Sequence, residues 1–368
     1  MNSSFHVRAP GQYLIVAAAF VVVIAGMRAA ETIVVPFLLA IFLAVIGAPV
    51  LAWLRDRRVP TVAALLLVAG ALSIGVFLVV LLIGTSVADF SRNLPFYQNR
   101  LEQQSDALLA WLQSHGIDIS EQLLDQEFNP NLAMQMVGTL LNGLSSAIGN
   151  ALMILITVLF LLMEASALPA KMRVIVGPEH PSFNTVERIL KDVRHYILLK
   201  TLTSLITGIL VGGWLALIGV DYPVLWGVLA FLLNFIPNIG SIIAAVPPVL
   251  LAIVQLGWLS AVYAASGYTV INCVIGYAVE PPLMGRGLDL SALVVFLSLV
   301  FWGWVLGPVG MLLSVPLTMT VKLVLEGIDE TRWLAILLGS EAAVTHRAGP
   351  TLIAPARETT LEGGEEAE

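Results

Sequence analysis

The stretch NFIPNIGSIIAAVPP, Asn234 to Pro248, decides how the chain is read, because it breaks an apolar run at its middle. The run lies between the turn Gly219 to Pro223 and the next span at Trp258. At about 32 residues it would measure about 48 Å as one helix, too long for one upright crossing of a core about 30 Å thick and too short for two. Pro237 and Gly240 stand near its midpoint, where a helix is most easily interrupted. A second stretch, GPVGMLLSVP from Gly307 to Pro316, repeats the layout. Its Pro, Gly and Pro at 308, 310 and 316 answer those at 237, 240 and 247. A long apolar span precedes each run, His195 to Val220 and Trp258 to Val279.

Two readings fit this pattern. In one, each run is a re-entrant hairpin, two half-length helices meeting at a tip inside the membrane. In the other, each is a single kinked span. On the hairpin reading the first run enters from outside, after Gly219 to Pro223 with no basic residue. The second enters from inside, after Arg286, and returns to Lys322. That is an inverted-topology repeat, whose solute site lies near the midplane at the broken helices. Unwound backbone is tolerated at that depth only where it is buried or lines a cavity.

Composition makes the bilayer the solvent. The 368 residues are 58% hydrophobic and 12% charged, and mean hydropathy is +0.92. Soluble domains carry about a quarter charged residues. Disorder is excluded by the same balance, and a disulfide framework by the single cysteine, Cys273. A net charge of −7 with no basic stripe argues against a nucleic-acid partner. The scattered histidines, and the lack of HExxH, CxxC or P-loop motifs, leave no metal or cofactor to expect. No nucleophile–base pair can be assembled either, so an enzyme ranks last.

The expected fold is an all-α polytopic membrane protein. Residues 1–87 hold three spans, Gln12 to Met27, Thr32 to Leu54 and Thr61 to Val87, and form a scaffold. The first is read as a span rather than a signal peptide, since no clear small-residue cleavage site precedes Arg28. Residues 88–142 form an external amphipathic segment of two helices on either side of Asn129-Pro130, with Leu94, Tyr97, Leu101, Leu108 and Trp111 at helical spacing. It rests on the membrane surface, or serves as an oligomer contact or cap. Residues 143–194 hold a fourth span, Leu144 to Met163, and a cytoplasmic loop. Residues 195–325 are the transport core and 326–368 a tail.

Basic residues set the orientation. Arg55, Arg57 and Arg58 follow the second span, and Lys171, Arg173, Arg188, Lys191 and Arg194 follow the fourth. The 88–142 segment holds Arg92 and Arg100 among many acids. Both termini are therefore expected in the cytoplasm, most simply at a bacterial inner membrane.

The candidate solute-binding residues lie at the two breaks. The first set is Asn234, Pro237, Asn238, Gly240 and Ser241, and the second Ser298, Trp302, Trp304, Pro308 and Gly310. An unpaired amide is costly in hydrocarbon, so Asn234 and Asn238 either cap half-helices or face a small polar solute. Trp302 and Trp304 either pack or stack on a ligand. Glu280 and Arg286 bracket the loop EPPLMGR, as a rigid ion pair or as part of ion coupling. Lys200 is expected to reach the cytoplasmic surface, and Glu31 to lie at the interface. The glycine pairs 208/212 and 303/307 have the spacing of close helix packing.

NFIPNIGSIIAAVPP, together with EPPLMGRGLDLSALVVFLSLVFWGWVLGPVGMLLSVPLT from Glu280 to Thr318, resembles the autoinducer-2 exporter family of bacterial membrane proteins. The layout of the earlier spans fits the same family by pattern. Two positions depart: Ala292 stands where many members have Pro, and Asn238 where many have an aromatic residue. The resemblance implies export of autoinducer-2, a small hydroxylated quorum-sensing signal, and a homo-oligomeric assembly. Other members are described as sodium or lithium/proton antiporters. The partners expected are therefore membrane lipid, a small polar solute and further copies of the chain.

Overall fold

The computed structural model describes residues 10–115, 138–139, 151–176, 181–237, 239–284, 290–328 and 330–339. These are almost wholly helical, and no strand occurs among them beyond an isolated bridge between Leu290 and Gly339. The helices are α1 (Pro10–Ala29), α2 (Glu31–Asp56), α3 (Thr61–Ser114), α4 (Ala151–Val176), α5 (Pro181–Ile218) and α6 (Pro223–Leu233). They continue with α7 (Ile239–Leu256), α8 (Trp258–Cys273), a π-helical segment (Val274–Val279), α9 (Glu280–Met284), α10 (Ala292–Glu326) and α11 (Arg332–Leu337). Among the described residues, six stretches are long and apolar enough to cross a membrane: Glu31–Asp56, Thr61–Arg100, Lys191–Ile218, Ile239–Leu256, Trp258–Leu283 and Ala292–Glu326. Apolar side chains face outward along them, as Leu66, Ile74 and Phe77 do, each 62% exposed. Such a surface is stable only against lipid or another apolar chain.

Helix ends depart from the boundaries read off polarity. α3 runs unbroken through residue 87 to Ser114, 54 residues or about 81 Å. The change from apolar to polar side chains there alters the solvent, not the backbone hydrogen bonding. α5 likewise begins at Pro181, well before His195, and α4 runs on past Glu164. The second external helix expected beyond Asn129-Pro130 lies outside the described residues, as does the acidic tail from 340. Of the expected 326–368 tail, the described part up to Gly339 lies against the start of α10, where the Ser291 N–H donates to the Leu338 carbonyl at 3.2 Å.

The helix is interrupted at both Pro/Gly breaks, between Leu233 and Ile239 and at Gly307. Gly307 adopts φ 63° and ψ −154°, which splits α10 into two helices. Trp302 Nε1 donates to Thr318 Oγ1 at 2.9 Å, sixteen residues along. In a straight helix these residues would be about 24 Å apart. At the first break, a side chain on Gly240 would collide with the Leu233 carbonyl, and one on Gly310 would collide with the Trp302 carbonyl. The arms are unequal: α6 has 11 residues and α7 has 18.

Two cores are joined by α3. Its first turns, at Ala64, Leu65 and Val68, pack with Ala44 of α2 and Val158 and Leu162 of α4. Farther along, Ile83, Val87, Phe90 and Tyr97 join a core made by Leu215, Trp226, Leu251 and Tyr268 of α5 to α8. Within that second core α5 and α6 meet backbone to backbone. A Cβ on Gly208 would lie 2.6 Å from the Gly227 carbonyl oxygen, and one on Gly227 would lie 2.7 Å from that of Gly208. The 208/212 pair is thus a packing seam. The 303/307 pair is not: Gly303 faces Met311 across the reversal, and Gly307 forms the break itself.

Gly227→Ala should therefore force α5 and α6 apart and cost about 1–3 kcal/mol. Gly213→Ala, where nothing lies within 4 Å of the added carbon, should be neutral or slightly stabilising. Thermal unfolding of the two purified variants measures the difference, and equal melting temperatures would remove the glycine seam as a determinant of packing.

Candidate functional site

The sequence of α5 from Lys200 reads KTLTSLIT, with polar residues at 200, 203, 204 and 207. That spacing places them on one helical face. The structure turns this face inward: Lys200 is 7% exposed, Thr203 and Ser204 are fully buried, and Thr207 is 1% exposed. Four polar side chains inside a membrane span need partners, because none is supplied by lipid.

Three elements supply them. The Thr207 hydroxyl donates to the Thr203 carbonyl at 2.9 Å, within the helix. α6 ends at Asn234, whose Nδ2 donates to Ser204 Oγ at 3.0 Å. From the other side Glu280 Oε1 pairs with the Lys200 ammonium and accepts from Thr203 Oγ1 at 3.2 Å. Glu280 reaches this position because of the π-helical turn before it. A π turn absorbs one extra residue relative to an α-helix. Without it Glu280 would point about 100° away around the axis.

Lys200 therefore does not extend to the membrane surface; its stem is buried and its charge is matched within the bundle. This is the difference that sequence spacing alone does not show, since 200 and 280 are eighty positions apart. Arg286, the partner expected for Glu280, lies outside the described residues. Asn238 does too.

The Asn234–Ser204 contact leaves hydrogen-bonding capacity unused. Ser204 accepts there, and its own hydroxyl proton has no acceptor among the described residues. The Asn234 carbonyl oxygen likewise has no donor there. A free donor beside a free acceptor is what a hydroxyl group satisfies, since a hydroxyl both donates and accepts. Pro237 is half-buried, Gly240 buried and Ser241 half-buried, and Ser241 is engaged by a neighbour.

The second set is built differently. Trp302 is a strut between the two arms of α10 through Thr318, with Phe301 edge-on at 5.1 Å. Ser298 bonds back to the Val295 carbonyl at 2.8 Å. Ser298, Trp302 and Thr318 line an apolar groove of about 210 Å³ together with Val294, Leu297 and Leu338. Trp304 is 56% exposed and lies under the Arg28 guanidinium, 4.5 Å from the ring centre. Pro308 is exposed and Gly310 buried. Glu31 is not merely interfacial: a Cβ on Gly307 would lie 2.9 Å from its Oε1, so its carboxylate sits at the break. No hydrogen bond or ring contact joins the first set to the second among the described residues.

Thr203, Ser204 and Thr207 were not singled out from the sequence. The signal was present as a 3–4 periodicity of hydroxyl residues within an apolar span, but single hydroxyls in such spans commonly bond their own helix backbone. Only the facing Asn234 and Glu280 distinguish this face from that ordinary case.

Among proteins of known name, the AI-2 transport protein TqsA of Escherichia coli is 42% identical over 318 residues, covering 86% of this chain and 92% of that protein. A putative transport protein of Haemophilus influenzae is 39% identical over 328 residues, covering 88% and 94%. The putative transport protein YhhT of Escherichia coli is 38% identical over 322 residues, covering 88% and 92%. These are transport proteins rather than enzymes. A family model described as AI-2E family transporter matches residues 15–329, which span the scaffold helices, the buried polar face of α5 and both reversals, and the chain belongs to that family.

Proposed function

We propose that the chain exports a small, neutral, hydroxyl-rich solute, autoinducer-2 before others, across a bacterial inner membrane by alternating access. The observation that carries this is the Asn234–Ser204 contact on the buried face of α5, whose remaining donor and acceptor meet no partner among the described residues. The 42% identical relative is named for transport of that signal. In this reading the reversals at Pro237 and Gly307 are re-entrant hairpins entering from opposite faces, an inverted repeat that meets near the midplane. Asn234, Asn238, Ser241 and the Pro237–Gly240 turn hold the solute at the first tip. Ser298, Trp302, Trp304 and the Pro308–Gly310 turn close on it from the second. Both termini are cytoplasmic, and outward-facing apolar surface is shared between lipid and further copies of the chain.

A second reading rests on a separate observation, the Lys200–Glu280 pair with Thr203. A buried carboxylate matched by an ammonium is a site where a monovalent cation can take the ammonium's place, so sodium/proton exchange is the alternative activity. A rigid pair that only fixes the π-helical segment against α5 is the structural version of the same contact.

Vesicles carrying the purified protein, given autoinducer-2 and sodium side by side, separate the readings. Autoinducer-2 uptake into everted vesicles without a sodium requirement is the expected result; sodium-driven proton movement with no autoinducer-2 uptake would replace the first reading by the second. Asn234→Leu and Ser204→Ala should each lower transport by about tenfold, the equivalent of about 1.4 kcal/mol in lost hydrogen bonding, at unchanged expression. Unchanged transport in both would make that contact purely structural. Glu280→Gln should leave autoinducer-2 transport measurable. If sodium-dependent proton movement is present and survives this substitution, Glu280 has no part in it.

A further inference from the structure

α3 reaches past the membrane span and meets two turns of the second core at once. One is the turn Gly219-Val220-Asp221-Tyr222 between α5 and α6; the other is the end of α7 at Ile253 and Gln255. Asp221 is the hub. Its carboxylate accepts from Tyr97 Oη at 3.1 Å and from Gln255 Nε2, and its N–H donates to Gln255 Oε1 at 3.0 Å. Its carbonyl accepts from Trp226 Nε1 at 2.8 Å. Asn93 Nδ2 donates to Tyr222 Oη at 2.8 Å, and Gln104 Nε2 to the Ile253 carbonyl at 3.2 Å. Beneath them Phe90 lies 5.8 Å from Tyr97, 6.1 Å from Tyr222 and 6.0 Å from Trp226.

We propose that this clasp is the outer gate of the transport cycle, and that the structure holds it shut. The inference rests on the carrier reading above. Three features point to a contact built to open. First, it joins the two cores, since the other end of α3 belongs to the core of α2 and α4. Movement of one core against the other acts here and at the seam where Phe42 and Val45 of α2 meet Tyr196 and Ile197 of α5. Second, the Asn93–Tyr222 bond and the two bonds between Asp221 and Gln255 are exposed, so water can replace them at little net cost. The glycine contact between α5 and α6 has no such substitute. Third, Tyr222 is held at φ 59° and ψ 44°, a left-handed conformation that is unfavourable for a side-chain-bearing residue. Asn93 holds the tip of that side chain. The clasp thus grips the one strained, side-chain-bearing residue of the turn between α5 and α6.

The test uses the full chain with Cys273, which is exposed and apart from the clasp, replaced by serine. Cysteines at Asn93 and Tyr222 are bridged by a short bifunctional methanethiosulfonate. Bridging should lower autoinducer-2 efflux by at least tenfold, and reductant should restore it. Full efflux from the bridged protein would overturn the gate. A second arm needs no solute: with Thr207→Cys as reporter, Asp221→Ala or Tyr97→Phe should speed labelling by a membrane-impermeant thiol reagent, applied from the clasp side, several-fold. Equal labelling rates in both variants would overturn the proposal. Absent efflux from the unbridged protein, with labelling still accelerated, would count against the carrier reading alone.

Discussion

A polar side chain inside hydrocarbon must be matched by another, and α5 carries four on one buried face. Much of the second half of the molecule is arranged around that requirement. α6 stops where it does so that Asn234 can meet Ser204. The helix after Cys273 widens into a π turn, and the turn aims Glu280 at Lys200 and Thr203. Removing one member of the Lys200–Glu280 pair would leave a charge without a counterpart where water is scarce, a situation that costs several kcal/mol in buried pairs. The pairing is therefore a constraint on which neighbours α5 can have.

Backbone proximity supplies the other half of the arrangement. Gly208 and Gly227 let α5 and α6 approach until carbonyl oxygens touch Cα atoms, and at that separation Asn234 reaches Ser204. Gly240 and Gly310 do the same within each reversal, where the returning arm lies against a carbonyl of the outgoing one. Small residues thus serve two purposes here, close packing between neighbours and room for a chain to double back. At the second break Gly307 needs a conformation open to glycine, and it sits beside the Glu31 carboxylate.

The long α3 runs between two packed cores, which also meet where Phe42 and Val45 of α2 pack with Tyr196 and Ile197 of α5. Its lower turns belong with α2 and α4, and its upper turns with α5 to α8. The contacts of the upper turns combine an aromatic stack with hydrogen bonds that water can replace. Such a joint is firm enough to define a state and weak enough to leave it. It lies at the far end of the second core from the Lys200–Glu280 pair, as the antiparallel course of α5 implies.

The transmembrane character, the spans near 32–54 and 61–87, and the two breaks at Pro237 and Pro308 were legible in the sequence, because hydropathy and helix-breaking residues act locally. The polar face of α5 was legible only as a periodicity, and its meaning was not. Lys200 read as a residue that would reach water, since nothing within its own helix offers it a carboxylate. Glu280 read as the partner of Arg286 for the same reason of nearness along the chain. Which charges meet depends on which helices become neighbours and on the one-residue offset of the π turn, and neither is encoded within a single segment. The sequence by itself determined that this chain lives in lipid and where its helices fail; tertiary packing alone decided which buried polar groups face one another, because partners 30 to 80 positions apart are brought together only by the fold.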